Sequence, residues 1–394
     1  MEKLHNLKDS ICSYQNLLAA YYEAATDKKY RADVLAFSWN LEENLFSIQE
    51  DLQNGTYTVG KYREFYVLYP KPRLVMALAF RDRVVQWAIY RQINPFIDKR
   101  FITHSYGCRE NKGTLAAAEC LLNWIRIISR KPDADEYRII KLDIAKYFYR
   151  VDHAIVHRIY AEYTDDEWFL WLIDTIINNP DVPFGLPYGM SPDDCPRDER
   201  LYDVGMPIGN LTSQETANIY LDQLDRYCKY TLRLRYYVRY MDDFCIIVKG
   251  QKEAERIMAL IGDYVNRELH LALSAKSRIL PIRNKIEFVG FDITAHGLRL
   301  RKKTVQHIKN SLTHIAGLYA DALIDLDTAL QVVRCYQGMT KHVNGYALRV
   351  WIEQHIALQR KEGMPDGAST VAAENRAAFL HRPRTRGRRG RRVS

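Results

Sequence analysis

Tyr236-Tyr237-Val238-Arg239-Tyr240-Met241-Asp242-Asp243-Phe244-Cys245-Ile246-Ile247-Val248 is the stretch on which the reading of this chain turns. Tyr236–Val238 and Phe244–Val248 are short runs of β-branched and aromatic residues, the composition of strands. The acidic pair falls between them, at or beside a tight turn. Two adjacent carboxylates between apolar strands cost free energy unless their charge is compensated. A divalent cation is the natural compensation, because all-oxygen donor sets suit Mg²⁺ or Mn²⁺. A solvated hairpin turn is the plainer alternative, since Asp is common in turns. The pair alone does not choose between them.

Upstream, Tyr137–Leu142 reads as a strand that runs straight into Asp143. A carboxylate at the end of a buried strand is well placed to bind a ligand. Asp152 caps a following helix, and Trp168–Ile177 reads as another. Residues 180–203 are rich in Pro, Gly and Asp without periodicity, as in a long inserted loop. Gly205-Met206-Pro207-Ile208-Gly209-Asn210-Leu211-Thr212-Ser213-Gln214 follows, then a helix through Tyr220 and Leu224. Its glycines permit close backbone approach, to a ligand or merely in a tight turn.

Nearer the N-terminus, Val34, Phe37, Leu41, Leu45, Ile48 and Leu52 recur at spacings of three and four. That spacing predicts one helix over 33–52, stopped by Gly55. Phe65–Pro70 and Leu74–Phe80 read as strands around the basic turn Pro70-Lys71-Pro72-Arg73, with a helix over 82–99. Ser105–Thr114, carrying Arg109 and Lys112, is a polar, basic segment before a helix, either an anion site or a capped loop. Downstream, Glu253–Glu268 reads as a helix. Leu273-Ser274-Ala275-Lys276 follows, and then Ile286–Ile293 as a strand pair or a strand bent at Gly290. Residues 303–360 are helical in pattern, broken around Gly338–Gly345.

Of 394 residues, 47% are hydrophobic and 27% charged, as in ordinary globular proteins. No apolar run nears the roughly 18 residues of a membrane span. The first residues lack a signal-peptide core. The seven cysteines form no Cys-x-x-Cys pair, which fits a reducing cytoplasm and argues against a disulfide framework or zinc site. The net charge is +9, yet the last fourteen residues hold seven arginines and no acid. The body is therefore nearly balanced. Residues 362–394 read as a linker and a disordered Arg-rich tail suited to phosphates.

Asp143, Asp242 and Asp243 together suggest two cations about 3.5–4 Å apart, which would serve nucleotidyl transfer. Lys71, Arg73 and Lys276 are cations suited to a triphosphate. In order, these segments resemble the blocks of reverse transcriptases. Leu142–Phe148 resembles the first catalytic block, Gly205–Gln214 the template-and-nucleotide block, and Tyr240–Asp243 the YxDD box. Lys276 falls where the next block keeps a lysine, and Glu287–Phe291 is similar to the primer grip. Pro70–Arg73, Arg81–Arg83 and Ser105–Gly113 resemble fingers blocks of bacterial, intron-like enzymes.

The resemblance implies an α+β right-hand polymerase fold with fingers and palm around an antiparallel sheet and a helical thumb. The expected parts are an N-terminal helical extension (1–60), fingers (61–135), palm (136–295) and thumb (296–361). Asp143 and Asp242 become the principal metal ligands, the Ile144 carbonyl helps, and Asp243 completes the box. The implied cofactor is a pair of Mg²⁺ ions, with Mn²⁺ able to substitute. Phe148 becomes a steric gate against a ribose 2′-hydroxyl, beside Ile208 and Gly209 in nucleotide binding. Arg109, Lys112, Asn210, Ser213, Gln214, Tyr240, Met241, Phe288, Val289 and Gly290 fall to template and primer.

One departure refines the resemblance. Most reverse transcriptases keep Gln before the glycine of the template block and Pro after its serine. Here those places hold Ile208 and Gln214. The variant resembles the enzymes of diversity-generating retroelements. These copy a template-repeat RNA into cDNA with errors concentrated at adenines. The implied partners are template RNA, a cDNA or DNA primer, dNTPs and a small, basic, oligomeric accessory variability protein, in the cytoplasm of a bacterial or phage-infected cell. A defence or retron-like enzyme, and a non-catalytic RNA-binding relative, are the rival readings.

Overall fold

The computed structural model describes residues 3–67, 73–178, 183–187, 189–192 and 194–361. Lys71 and the expected linker and Arg-rich tail lie outside them. The chain divides into two compact units, Met1–Asn284 and Lys285–Ser394.

The first unit begins with α1 (Leu7–Cys12), α2 (Tyr14–Ala25), α3 (Ala32–Trp39) and α4 (Leu41–Asn54). The single helix expected over 33–52 is thus two helices, broken at Asn40 (φ −119°, ψ 49°). The break is stabilised locally, because the Asn44 side chain donates to the freed Phe37 carbonyl at 2.9 Å. Gly55 ends α4 in the left-handed conformation (φ 68°), as its position predicts. These helices share the core of the first unit. The Asn16 side chain of α2 donates to the Ala88 carbonyl of α5 (Phe80–Ile97) at 3.0 Å.

A two-stranded antiparallel hairpin, β1 (Arg63–Val67) and β2 (Arg73–Ala77), precedes α5. After α6 (Thr114–Ser129) comes β3 (Tyr137–Asp143), then α7 (His153–Tyr163), α8 (Glu167–Ile177) and α9 (Leu211–Arg226). Asp152 caps α7 by accepting from the Ile155 amide at 3.1 Å. β4 (Tyr236–Tyr240), β5 (Asp243–Lys249), α10 (Gln251–Leu269) and β6 (Arg278–Pro281) complete the unit. β6 has no counterpart in the sequence reading. It is a short edge strand whose pattern carries no alternation long enough to register.

The four strands form one antiparallel sheet in the order β4-β5-β3-β6. Strand alternation gives it two faces. Ile140, Leu142, Phe244, Ile246 and Tyr237 enter the main core with α9 and α10 residues such as Leu224 and Ile257. Ile139, Val238, Cys245 and Ile247 are also buried, on the other face. Asp143 and Asp243 belong to that second face, at its end.

The second unit begins with β7 (Ile286–Phe288), β8 (Phe291–Thr294) and β9 (Gly297–Leu300), a three-stranded antiparallel meander. The expected strand pair therefore gains a third member. α11 (Lys302–Ala320), α12 (Leu326–Lys341) and α13 (Tyr346–His355) follow. Leu300 packs on the helical cluster of Ile308, Leu312, Val333, Leu348 and Ile352, and the Asn344 amide donates to the Leu298 carbonyl at 2.8 Å. These contacts join the meander to the helices within the second unit. The helical tract also breaks before Leu326, where Asp325 caps α12 through the Thr328 amide at 2.7 Å. No helix among the described residues is long and apolar enough to cross a membrane.

Candidate active site

Three local features bring the acidic residues together. Asp143 ends β3 in register with Asp243, which begins β5. Tyr240 pairs with Asp243, so Met241 and Asp242 are the two residues of the hairpin loop. The Ile144 amide then donates to the Asp242 carbonyl at 3.3 Å, tying the exit of β3 to that loop. Two-residue hairpins need a positive φ. Met241 supplies it at 53°, where glycine would be the unstrained choice.

Gly107 lies flush against this loop. A Cβ there would sit 2.7 Å from Met241 Sδ and 2.9 Å from its backbone nitrogen. The Asn218 side chain fixes the approach by donating to the Gly107 carbonyl at 2.6 Å. Residues 104–106 run beside β4, with the Arg239 amide donating to the His104 carbonyl (3.0 Å) and the Tyr106 amide to the Arg239 carbonyl (2.9 Å).

Beneath the loop is a buried polar hub absent from the sequence reading. Arg239 is fully buried and pairs with buried Asp225, at 2.8 Å from Nε and 2.7 Å from Nη2. It also donates to Asn218 Oδ1 (3.1 Å), Asn218 O (3.4 Å), Ser105 Oγ (3.0 Å) and the Met241 carbonyl (3.2 Å). The Tyr237 hydroxyl donates to Asp225 at 2.6 Å. Burial opposes the Arg239 charge, but Asp225 outweighs it and holds the guanidinium protonated. The available signal was an arginine inside a strand and acids on the apolar face of a helix.

Asp243 forms an ion pair with Lys141. The segment carrying Lys276 is laid along Asp143: the Ser274 amide donates to the Asp143 carbonyl at 2.7 Å, and the Ala145 amide to the Ala272 carbonyl at 2.9 Å. Lys276 itself is exposed. Ser277, not singled out from sequence, accepts from the Asp143 amide at 3.4 Å.

The template block forms the wall between β2 and α9. The Ile208 carbonyl accepts from the Met76 amide at 3.1 Å. Phe148 and Ile208 are both partly buried against one apolar cluster of Met76, Tyr149, Phe184, Leu186 and Cys195. Gly209 has φ 115°, and a Cβ there would lie 2.9 Å from Val75 Cγ1. The Gln86 side chain caps α9 by accepting from the Leu211 amide at 3.0 Å. Asn210 and Ser213, expected at the template, are buried. Asn210 instead donates to the Tyr62 hydroxyl at 3.2 Å, and burial pushes that phenol up to about 12. Gln214 is half-buried and accepts from the Cys108 thiol at 3.5 Å. Glu215 on α9 is buried with no hydrogen-bond partner for either carboxylate oxygen, and burial pushes its carboxyl well up.

Arg109, also expected at template or primer, is bonded within its own segment. Its guanidinium pairs with Asp98 and donates to the Ile102, Ser105 and Asp98 carbonyls at 2.9, 3.0 and 3.0 Å. Every donor is used within the loop, so none is left for a phosphate. Lys112 donates to the Thr103 carbonyl at 2.9 Å and lies 4.9 Å over the Tyr106 ring. The backbone of Arg73 pairs with Val67 in the β1–β2 hairpin. Tyr240 is half-buried, and burial raises its hydroxyl. In the second unit Phe288 is buried, and Val289 (φ 43°) with Gly290 (φ 93°) makes the β7–β8 turn.

Among the described residues no three His, Cys, Asp or Glu side chains form a closed metal cage. Mg²⁺ does not require one, since it uses one or two carboxylates together with substrate phosphates and water. Three carboxylates with one paired ammonium leave an excess of negative charge at the strand ends. That donor chemistry fits a hard divalent cation.

An antiparallel sheet with carboxylates on adjacent strand ends, flanked by helices, is the architecture of a polymerase palm. Residues 69–293, more than half of the chain, match the family model described as reverse transcriptase (RNA-dependent DNA polymerase). The chain belongs to the reverse transcriptase family and is an enzyme of the RNA-directed DNA polymerase class. It is 25% identical over 299 residues to Protein YkfC of Escherichia coli (strain K12), covering 65% of this chain and 71% of that protein. Telomerase from Candida albicans, solved with a fragment of telomeric RNA, aligns with TM-score 0.43 and 12% identity. That alignment covers 76% of this chain and 55% of the telomerase chain.

Proposed function

We propose that the protein is the reverse transcriptase of a diversity-generating retroelement, copying a template-repeat RNA into cDNA with errors concentrated at adenines. The observation that carries the reading is Ile208 in the template block. Its carbonyl is tied to the Met76 amide and its side chain packs with Phe148 on one apolar cluster. A Gln there would offer hydrogen bonds to the nascent pair, whereas Ile offers shape alone. Losing one recognition contact costs discrimination on the order of 1–3 kcal/mol.

In this reading Asp143 and Asp242, with the Ile144 carbonyl, hold two divalent cations. When bound, such cations activate a primer 3′-hydroxyl and stabilise the departing pyrophosphate. Lys71, Arg73 and Lys276 bind the triphosphate, and Phe148 abuts the sugar. Tyr240 and Met241 lie at the primer end, and Phe288, Val289 and Gly290 form the primer grip. A small, basic accessory variability protein is the partner.

The test is cDNA synthesis on a defined RNA with Mg²⁺, followed by deep sequencing. Errors should pile up opposite template adenines, and Ile208→Gln should lower them several-fold. Faithful wild-type cDNA would overturn the retroelement reading and move the enzyme to a defence or retron-like role.

A further inference from the structure

Lys141 is a charged residue of the strand end to which the polymerase reading gives no role. It stands two positions before Asp143 on β3, so both side chains belong to one sheet face. Across the sheet, Lys141 is in register with Cys245 and Asp143 with Asp243. The Lys141 ammonium and the Asp243 carboxylate form an ion pair. The lysine side chain is only 12% exposed and the aspartate side chain 25%. Lysines at a sheet rim ordinarily snorkel to water. This one turns inward, and a largely desolvated ammonium is held only by a well-matched partner.

We propose that Lys141 is a positioning residue of the catalytic centre, holding Asp243 aside so that Asp143 and Asp242 are the pair left to take the cations. The proposal rests on the polymerase reading of this site. It has two opposed consequences. Without cations, three like charges crowd the ends of β3 and β5, and the Lys141 charge offsets one of them. With cations, the same ammonium repels a second positive centre close by and so lowers its affinity. Arg278 stands opposite Lys141 on β6 but is exposed, so it is screened where Lys141 is not. Burial pushes the Cys245 thiol up to about 11, against the opposing pull of the Lys141 and Arg278 charges.

The two consequences differ in sign, which separates positioning from packing. The full chain is titrated with Mn²⁺ alone, without nucleic acid, and binding is followed by electron paramagnetic resonance. Thermal unfolding is recorded in EDTA and in saturating Mn²⁺. Lys141→Met should bind Mn²⁺ more tightly, on the order of tenfold, yet melt lower in EDTA, with the deficit shrinking in Mn²⁺. Lys141→Arg should restore both values. Asp243→Asn approaches the same pair from the other side. Its Mn²⁺ affinity should fall, because one nearby negative charge is lost, but by less than about tenfold, since Asp243 is held out of the cation-binding pair.

Lys141→Met binding Mn²⁺ no more tightly than wild type would overturn the proposal, as would a loss of more than tenfold in Asp243→Asn. Wild-type cDNA synthesis is measured in parallel. A wild type that makes cDNA while Lys141→Met gains no affinity refutes the positioning role alone. A wild type that binds Mn²⁺ but copies no RNA refutes the polymerase reading on which it rests.

Discussion

Arg239→Met should be among the most damaging single substitutions in the first unit. It removes two bonds to Asp225 and bonds to Asn218, Ser105 and the Met241 carbonyl. Asp225 would keep only the Tyr237 hydroxyl and its charge would stay fully buried. Breaking one side of a buried pair costs about 3–5 kcal/mol. For a unit spanning Met1–Asn284, that is a fall in melting temperature of about 5–8 °C. The assay is thermal unfolding of Arg239→Met, Asp225→Asn and the double variant. The double variant should cost clearly less than the sum of the single ones, because it no longer strands a charge. Primer extension should also fall in Arg239→Met, since the Met241 carbonyl loses its donor. A fall below about 1 °C, or strict additivity, would refute the idea that this hub holds the catalytic loop.

Glu215→Gln should stabilise the protein in a pH-dependent way. Burial raises the folded carboxyl, so above about pH 4.5 the unfolded chain ionises while the folded one does not. Stability contributed by the neutral acid is present at low pH and lost as pH rises towards the folded value. Urea unfolding should show no gain for the variant at pH 4 and a gain of about 1–3 kcal/mol at pH 8; an equal gain at both would sink the idea. Gly107→Ala should cut primer extension by about tenfold or more, because its Cβ meets the Met241 backbone at 2.9 Å; unchanged rates would mean the loop yields freely. Phe148→Ala should raise ribonucleotide incorporation several-fold, read from product sensitivity to alkali, and unchanged sugar selectivity would refute the gate.

What was legible in the sequence was local. β4, β5 and the end of β3 were readable because β-branched and aromatic runs stop at carboxylates, and strand alternation fixes which side chains share a face. Asp152 as a helix cap and Gly55 as a helix stop follow from chemistry within a few residues. Other features depend on partners, near or far in the chain, that only the fold brings together. The bonds of Arg109 to Asp98 and to the Ile102 and Ser105 carbonyls leave no pattern in the sequence. Asn210 gives its amide to Tyr62, a partner that no local pattern announces. The break at Asn40 is invisible to periodicity, because the apolar spacing continues across it while the backbone turns. Arg239 and Lys141 lie within strands, and only the fold shows the acid each one meets, Asp225 of α9 and Asp243 of β5.

The most direct measurement is primer extension on an RNA template by the wild type and by Asp242→Ala, with RNA binding measured on the same preparations. The wild type should extend the primer with dNTPs and Mg²⁺. Asp242→Ala should make no product while binding RNA within about twofold of wild type, because the proposed site loses a cation ligand while the fold is kept. Extension by Asp242→Ala at a rate comparable to wild type would contradict the assignment of the catalytic centre to the paired ends of β3 and β5.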